Sequence, residues 1–533
     1  MKRDWTFIAA VAALAVVAVV RVASTHRVFA ATLDEPIHLA AGYEWFTGKY
    51  EIDVTHPPLA RILAALPLYV SGYPEPAPTN MIDRGNQLLY HGNRYEKTLA
   101  RARIGNLVLL IAAIVTVAVW ARRTFGRGVA ILATALFTSV PAVLGHAGLV
   151  TTDLSVAAML PLALLALSVI LSEAKDLPRH HGEDPSPSSR LRMTRRALFL
   201  GIAVGLGVLS KLSFLVYFIP CAIVLLAMRW RPRVNVRATA IVLAAAFVVA
   251  WAGYRFDVQR PASIMKEAPD FFAAAGIPRA LANVPLPAPA LPLGFAQVRL
   301  HDRGGHTAFL LGETSRTGWW YYFPVVFFYK TPLPLLILFA WGAWHRRALE
   351  LVLIALAIMV MAMTASLNIG LRHILPIYAP VAIVAAHGAA EIWRRGRDLF
   401  PRAALGALLA WMFAGVAVQH PDYLAWFNEL AHPNPARIAV DSNLDWGQDV
   451  LRLARHVRTQ RPEPFYYVMN NSTRLAAHGV GGEWLPPYRQ VSGWIAVGEN
   501  WLAFSGDEYA WLKAYRPARR IGKSIRLYYV PPM

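Results

Sequence analysis

The chain has 533 residues, 56% of them hydrophobic, and a mean hydropathy of +0.39. That is too apolar for a soluble globular protein, and several runs reach the roughly 20 residues that cross ~30 Å of hydrocarbon. The formal charge of +21 comes from 53 Lys and Arg against 32 Asp and Glu. Most of the excess falls in short loops between apolar runs, which is the bias of inner membrane loops and argues against a nucleic-acid partner.

Residues 5–20 are dominated by Ala and Val and form the first expected span, read as uncleaved. A signal peptide ending near Val28-Phe29-Ala30 is the alternative, and either reading leaves residue 34 outside. Residues 107–121 return inward to Arg122, Arg123 and Arg127. Residues 129–144 go out and 154–171 come back. Residues 172–196 are charged, contain Ser and Pro, and read as a flexible inner loop. Residues 197–210 and 212–228 make a hairpin, since Arg195, Arg196, Arg229 and Arg231 all belong inside. Residues 238–254 go out to a long outer segment, 255–317, whose Pro/Ala-rich part at 284–294 is expected to be extended.

Residues 324–344 come in to His345-Arg346-Arg347, 349–365 go out, 374–392 come in to Arg394, Arg395 and Arg397, and 403–418 go out. The expected fold is an all-α polytopic bundle of about eleven spans with its amino terminus inside. The membrane domain is 1–418, with outer loops 25–103 and 255–318. Residues 419–533 form a small outer α/β domain, with helical patterns at 447–457 and 507–514 and an apolar run at 465–469. The aromatic run Trp319 to Phe323 reads as an interfacial belt.

Cys221, inside an apolar run, is the single cysteine, so there is neither a disulfide framework nor a Cys-based metal site. The 16 histidines show no His-Glu-x-x-His spacing. The map gathers ionisable groups at the outer mouths of the spans: Asp34, Glu35, His38, His56, Arg61, Arg101, Arg103, His146, Asp153, Lys330, Arg372 and His373. Lys211 joins them if its hairpin reaches that side. Acids massed with cations at membrane depth suit a site where one carboxylate takes a proton while positive charge holds a departing anion. Taken singly, each cation also reads as a snorkelling or water-facing side chain.

An Asp-Glu pair beyond the first span, Pro57-Pro58-Leu59, and Thr151-Thr152-Asp153-Leu154 at the mouth of a later span resemble the GT-C membrane glycosyltransferases. The resemblance is to glycosyltransferase family 39, the protein mannosyltransferase-like group, with the aminoarabinose lipid A transferases as relatives. Gly312-Glu313, the run from Gly318 to Pro324, Lys330-Thr331-Pro332, the run from Gly370 to Pro376, and Asp441 to Asp449 are similar to a bacterial branch of that family.

The resemblance implies a hexosyltransferase in a bacterial inner membrane, active on the periplasmic or exterior side. It would move a monosaccharide from a polyprenyl-phosphate donor to a protein, lipid or glycan acceptor, with inversion. Asp34 would be the base, Glu35 its support or a sugar contact, and Asp153 a second acid. His56, Arg61, Arg103, Lys330, Arg372 and His373 would hold the donor phosphate. His56 stands where the aminoarabinose transferases have a lysine; a neutral imidazole cannot neutralise phosphate, so His56 must be protonated or leave that task to the cations. Asp445, Trp446 and Gln448 have two readings: acceptor contacts, or structural residues in a segment where Asp441, Ser442 or Asn443 caps the following helix.

No tightly bound cofactor is implied. A divalent metal between Asp34 and Asp153 is not favoured. Membrane lipids are the remaining expected partners. A transporter of a lipid-linked or anionic substrate and a non-catalytic envelope subunit are the rival classes. Ionisable residues crowded at one face, and the absence of an internal repeat, argue against transport.

Overall fold

The computed structural model describes residues 2–48, 53–173, 187–229, 236–265, 270–396 and 398–532. Helix α1 (Lys2–Thr25) carries neither Pro nor Gly, and its first-turn Asp4 complements the helix dipole. The outer helices α2 (Glu35–Thr47), α3 (Leu59–Val70) and α4 (Met81–Tyr90) lead into α5 (Tyr95–Phe125). At 31 residues α5 is about 46 Å long, so it overshoots the hydrocarbon at both ends.

Then come α6 (Arg127–Phe137), α7 (Pro141–Ala147), α8 (Asp153–Glu173), α9 (Pro187–Ser210), α10 (Ser213–Arg229) and α11 (Val236–Gly253). The outer segment after α11 holds the single-turn helices α12 (Pro261–Ile264), α13 (Phe271–Ala274) and α14 (Arg279–Ala282), then α15 (Ala290–Gly304). Two short antiparallel pairs brace it, β1 (Val258–Gln259) with β2 (Leu286–Pro287) and β3 (Ala308–Leu310) with β4 (Glu313–Ser315). The bundle resumes with α16 (Tyr322–Lys330), α17 (Leu333–Ala343), α18 (Leu349–Ala362), α19 (Tyr378–Arg395) and α20 (Leu399–Gln419).

Among the described residues, seven helices are long and apolar enough to cross a membrane, and two bent pairs raise the number to nine. Every segment expected as a span is largely helical, with 129–144 and 324–344 each broken into two helices. However, α10 with 17 residues and α18 with 14 fall short on length, so eleven is not reached. The bent pairs are α6 with α7, at 65°, and α16 with α17, at 114°. The second break has a local cause: Pro332 forces Thr331 out of the helical region, to φ −106° and ψ 133°. Large apolar side chains such as Leu243 and Val418 stand exposed on α11 and α20, a surface that a bilayer covers. This is an integral membrane protein.

Helix ends sort into two sets. At one end Asp4 pairs with Arg122 and Arg127, at 2.6 and 2.8 Å, and Arg229 pairs with Glu350. The other end holds Asp34, Asp153, Lys211 and Arg372, the predicted outer set.

The tail contains α21 (Val450–Gln460), α22 (Glu499–Phe504) and strands β5 (Phe465–Val468), β6 (Glu483–Trp484), β7 (Gly493–Gly498), β8 (Arg519–Ile521) and β9 (Ile525–Val530). The sheet order is β6-β5-β7-β9-β8, parallel through β6, β5 and β7, then antiparallel. One face of this sheet and α21 share a core with α2–α5 through Leu39, Ala65, Leu89, Leu99, Leu453 and Phe465. The tail is therefore packed into the outer loops.

Four local expectations change. Residues 290–294 are helical, not extended, because α15 begins at Ala290. The loop expected over 172–196 is helical at both ends, while residues 174–186 lie outside the described residues. The aromatic belt divides: Tyr322 and Phe323 enter the core and Trp320 stays exposed. Residues 447–449 precede α21, and 507–514 condense to one turn at Ala510–Ala514.

Candidate active site

The segment after α1 runs extended and is stitched to the tail. Ala30 N donates to Gln448 O at 2.9 Å and Leu33 N to Trp446 O at 3.1 Å. Pro36 near the start of α2 suits a helix start, and Asp34 occupies the N-cap with no side-chain capping bond. Its carboxylate is thus free for another partner. Arg372 Nη1 donates to Asp34 Oδ2 at 2.9 Å. The same nitrogen lies 3.9 Å from Asp153 Oδ2. Asp153, at the head of α8, is fully buried and meets Lys211 Nζ at 2.5 Å. Asp34 is 29% exposed.

Arg372 is aimed by its turn. Gly370 takes φ +148°, and a Cβ there would meet Ser442 Oγ at 2.1 Å, so only glycine lets the tail approach. The guanidinium lies over the Trp446 ring at 4.2 Å, a cation–π contact. Three buried nitrogens nearby in sequence or packing have no hydrogen-bond partner: Arg372 Nε, His373 Nε2 and His146 Nδ1. Unsatisfied buried nitrogens are costly and mark a place where a ligand could supply acceptors.

A second group lies along α2 and α3. A Cβ on Gly42 would strike Arg61 O at 2.1 Å, so its absence lets α2 and α3 touch and sets His38 beside Arg61. Arg61 Nε donates to His38 Nδ1 at 3.2 Å, its Nη1 to the Asp53 and His56 carbonyls, and its Nη2 to the Asp53 carboxylate. His56 Nδ1 sits 3.1 Å from Asp53 Oδ2, leaving Nε2 for another partner. Burial opposes ionisation of Asp53, but Arg61 and His56 outweigh it and hold the carboxyl well below its usual range. Burial, with Arg61 and His56 adding to it, keeps the His38 imidazole neutral. His56, Asp53 and Arg61 line a small pocket with Glu44, Trp45 and Tyr254. His38, Asp53 and His56 offer ligand atoms within 4.8 Å of one another, as a metal site would. Arg61 already bonds both His38 and Asp53 and supplies the positive charge, so the cluster does not fit a metal.

Several residues expected at the donor phosphate are committed elsewhere. Arg103 is buried and forked onto Glu35, at 2.9 and 2.7 Å, and its other N–H groups reach the carbonyls of His26, Phe29 and Ala30. It has no donor left for phosphate. Glu35 also accepts from Thr32 N and Val150 N, both at 2.8 Å, so it braces the Asp34 segment instead of touching sugar. Lys330 Nζ donates to Leu424 O and Asn443 O at 2.7 and 2.6 Å and lies over Phe427, which anchors the tail. Arg61 is held in the α2–α3 group. Arg101 is exposed and reaches Ser71.

The tail motif leans to the structural reading, with a changed capping pattern. Asn443 accepts from Leu371 N and donates to the Tyr322 hydroxyl, and Ser442 Oγ donates to Ile369 O, so both latch the Arg372 turn and neither caps α21. The α21 N-cap is Asp449. Asp445 accepts from Asn500 N and Gly447 N, and burial pushes its carboxyl up to about 7. Gln448 folds back onto Trp446 N and Leu444 O. Sequence reasoning missed Asp53; its place three residues before His56 was the available signal. Lys211, conditional on its hairpin, does reach Asp153.

Residues 14–255 match the family model described as dolichyl-phosphate-mannose-protein mannosyltransferase. The match falls on the part of the helical bundle that carries Asp34, Glu35 and Asp153. That match covers just under half of the chain, so residues 14–255 are similar to that family.

Among solved structures, the chain is similar to ArnT from Cupriavidus metallidurans bound to undecaprenyl phosphate, at 14% identity over 98% of this chain and 99% of that one, TM-score 0.49. It is also similar to the archaeal oligosaccharyltransferase AglB from Archaeoglobus fulgidus in complex with an inhibitory peptide and a dolichol-phosphate, at 14% identity over 78% and 56%, TM-score 0.41. A third is the S. cerevisiae protein O-mannosyltransferase Pmt1-Pmt2 complex bound to the sugar donor, at 18% identity over 47% and 33%, TM-score 0.34. No curated protein sequence matches the chain.

Proposed function

We propose that this enzyme moves one monosaccharide from a polyprenyl-phosphate carrier to a hydroxyl of a protein, lipid or glycan acceptor, with inversion at the anomeric carbon. Asp34 takes the acceptor's proton. Arg372 meets the charge that develops on the leaving lipid phosphate, and His373 and His56 offer it hydrogen bonds. A preplaced guanidinium in a water-poor cleft does this without reorganising solvent. Glu35 and Arg103 hold the Asp34 segment, and Lys211 pairs with Asp153. We assign residues 1–418 to the membrane domain and 419–533 to a cover on the outer side, in a bacterial plasma membrane with the site facing out.

The observation that carries this reading is the contact of Arg372 with Asp34, at 2.9 Å, beside the buried Asp153. An acid, a second acid and a cation from three distant segments meet at one end of the bundle. The gathering of charge at that end also weighs against a transporter, whose ionisable groups belong near the midplane. The deciding experiment is lipid mass spectrometry on a strain lacking the protein. A polyprenyl-phosphate sugar should accumulate and fall again on complementation. An unchanged lipid profile rejects the proposal.

A further inference from the structure

Asp34 has one charged partner among the described residues, Arg372, and it is bonded through Oδ2. The oxygen that would receive the acceptor's proton is therefore occupied by a guanidinium N–H. Asp153 does not depend on the same guanidinium, since Lys211 sits 2.5 Å from it. Arg372 also keeps an unused buried Nε and rests on the flat face of Trp446. A planar guanidinium can shift over a ring without leaving it.

We propose that the donor phosphate and Asp34 compete for Arg372, so that donor binding unmasks the base. This rests on the transferase reading above and adds an order to it, donor before acceptor. In the resting state Arg372 Nη1 covers Asp34 Oδ2. The arriving lipid phosphate offers two or more anionic oxygens and takes the guanidinium in a bidentate grip, which a single carboxylate oxygen does not match. Asp34 Oδ2 is then free. The acceptor oxygen bonds to the anomeric carbon as the bond from that carbon to the phosphate oxygen breaks. The phosphate leaves with the electron pair against Arg372, and the hydroxyl proton passes to Asp34. Without donor the base stays covered, which also guards against activating water.

The test is binding of a short-chain polyprenyl monophosphate, without sugar, to the full chain in lipid nanodiscs. Asp34→Asn removes the competitor and should bind about fivefold tighter than wild type, a shift of about 1 kcal/mol. Arg372→Gln should bind more weakly, and adding Asp34→Asn to it should gain nothing. Equal or weaker binding by a folded Asp34→Asn protein overturns the exchange while leaving the transferase reading intact. Absence of binding by wild type overturns that reading and the exchange with it. Steady-state kinetics on wild type gives a second measure independent of any variant. Ordered kinetics with donor first supports the exchange, and random-order kinetics overturns it.

Discussion

Arg372 Nη1 bonds Asp34 Oδ2 at 2.9 Å, joining residues 338 positions apart. One end of that pair stands at the start of an outer helix and the other opens a membrane helix. Neither neighbourhood shows the contact by itself, and the proposed chemistry depends on it.

If Asp34 is the base, Asp34→Asn should lower turnover about a thousandfold, within the range for general base catalysis. The protein should still fold and still bind lipid phosphate. Radiolabelled sugar transfer in proteoliposomes measures the loss. A scaffold or transporter would keep its activity.

The Glu35–Arg103 pair carries a different expectation. Both side chains are fully buried and nearly every N–H and lone pair is engaged. Arg103→Leu strands the Glu35 carboxylate and should cost about 3–5 kcal/mol. Arg103→Lys should rescue it poorly, because an ammonium cannot fork onto both oxygens. Thermal melting in detergent reads both variants, and a near-wild-type melt for Arg103→Leu would contradict the assignment.

Lys330 is expected to act on the tail. Lys330→Met removes the donor from two buried carbonyls, Leu424 O and Asn443 O, at a cost of about 2 kcal/mol. Limited proteolysis should cut residues 419–533 faster, while donor affinity in the folded fraction stays within about twofold. A selective loss of donor affinity with an intact tail would return Lys330 to the phosphate.

Asp445 predicts a pH effect on stability. Its folded value is about 7 against an ordinary 3.8, because burial disfavours the charged form. The folded state therefore keeps a proton that the unfolded state has lost between those two values. The stabilising contribution is whole below about 3.8, declines as pH rises toward 7, and is gone above it. Asp445→Asn should flatten the fall in melting temperature between pH 5 and about 7 (a range following from that shift). An unchanged slope would place the titration elsewhere.

Much of the architecture was legible one segment at a time. Unbroken Ala/Val/Leu runs can only be spans or core, and the expected spans are helical, with 129–144 and 324–344 each broken into two helices. Proline explains the break at Thr331–Pro332. The misreadings came where local composition did not decide. Residues 290–294 look extended by their prolines yet begin α15. Arg103 and Lys330 look like phosphate ligands from their place at span mouths, but Glu35 and three carbonyls engage all five Arg103 N–H groups and two carbonyls hold Lys330. A cation's availability depends on partners that are distant along the chain.

From the order of residues alone came a membrane bundle, its charged end and the acids Asp34 and Asp153, because hydrophobic length and charge bias act locally. Folding alone decided which cation meets which acid. Glu35 went to Arg103, Asp153 to Lys211, Asp53 to Arg61 and His56, and Asp34 to Arg372. Those pairings come from helices and a tail packed at angstrom separations, with Gly42 and Gly370 permitting the closest approaches. Electrostatic matching at 3 Å depends on that packing, and spacing along a chain carries no record of it.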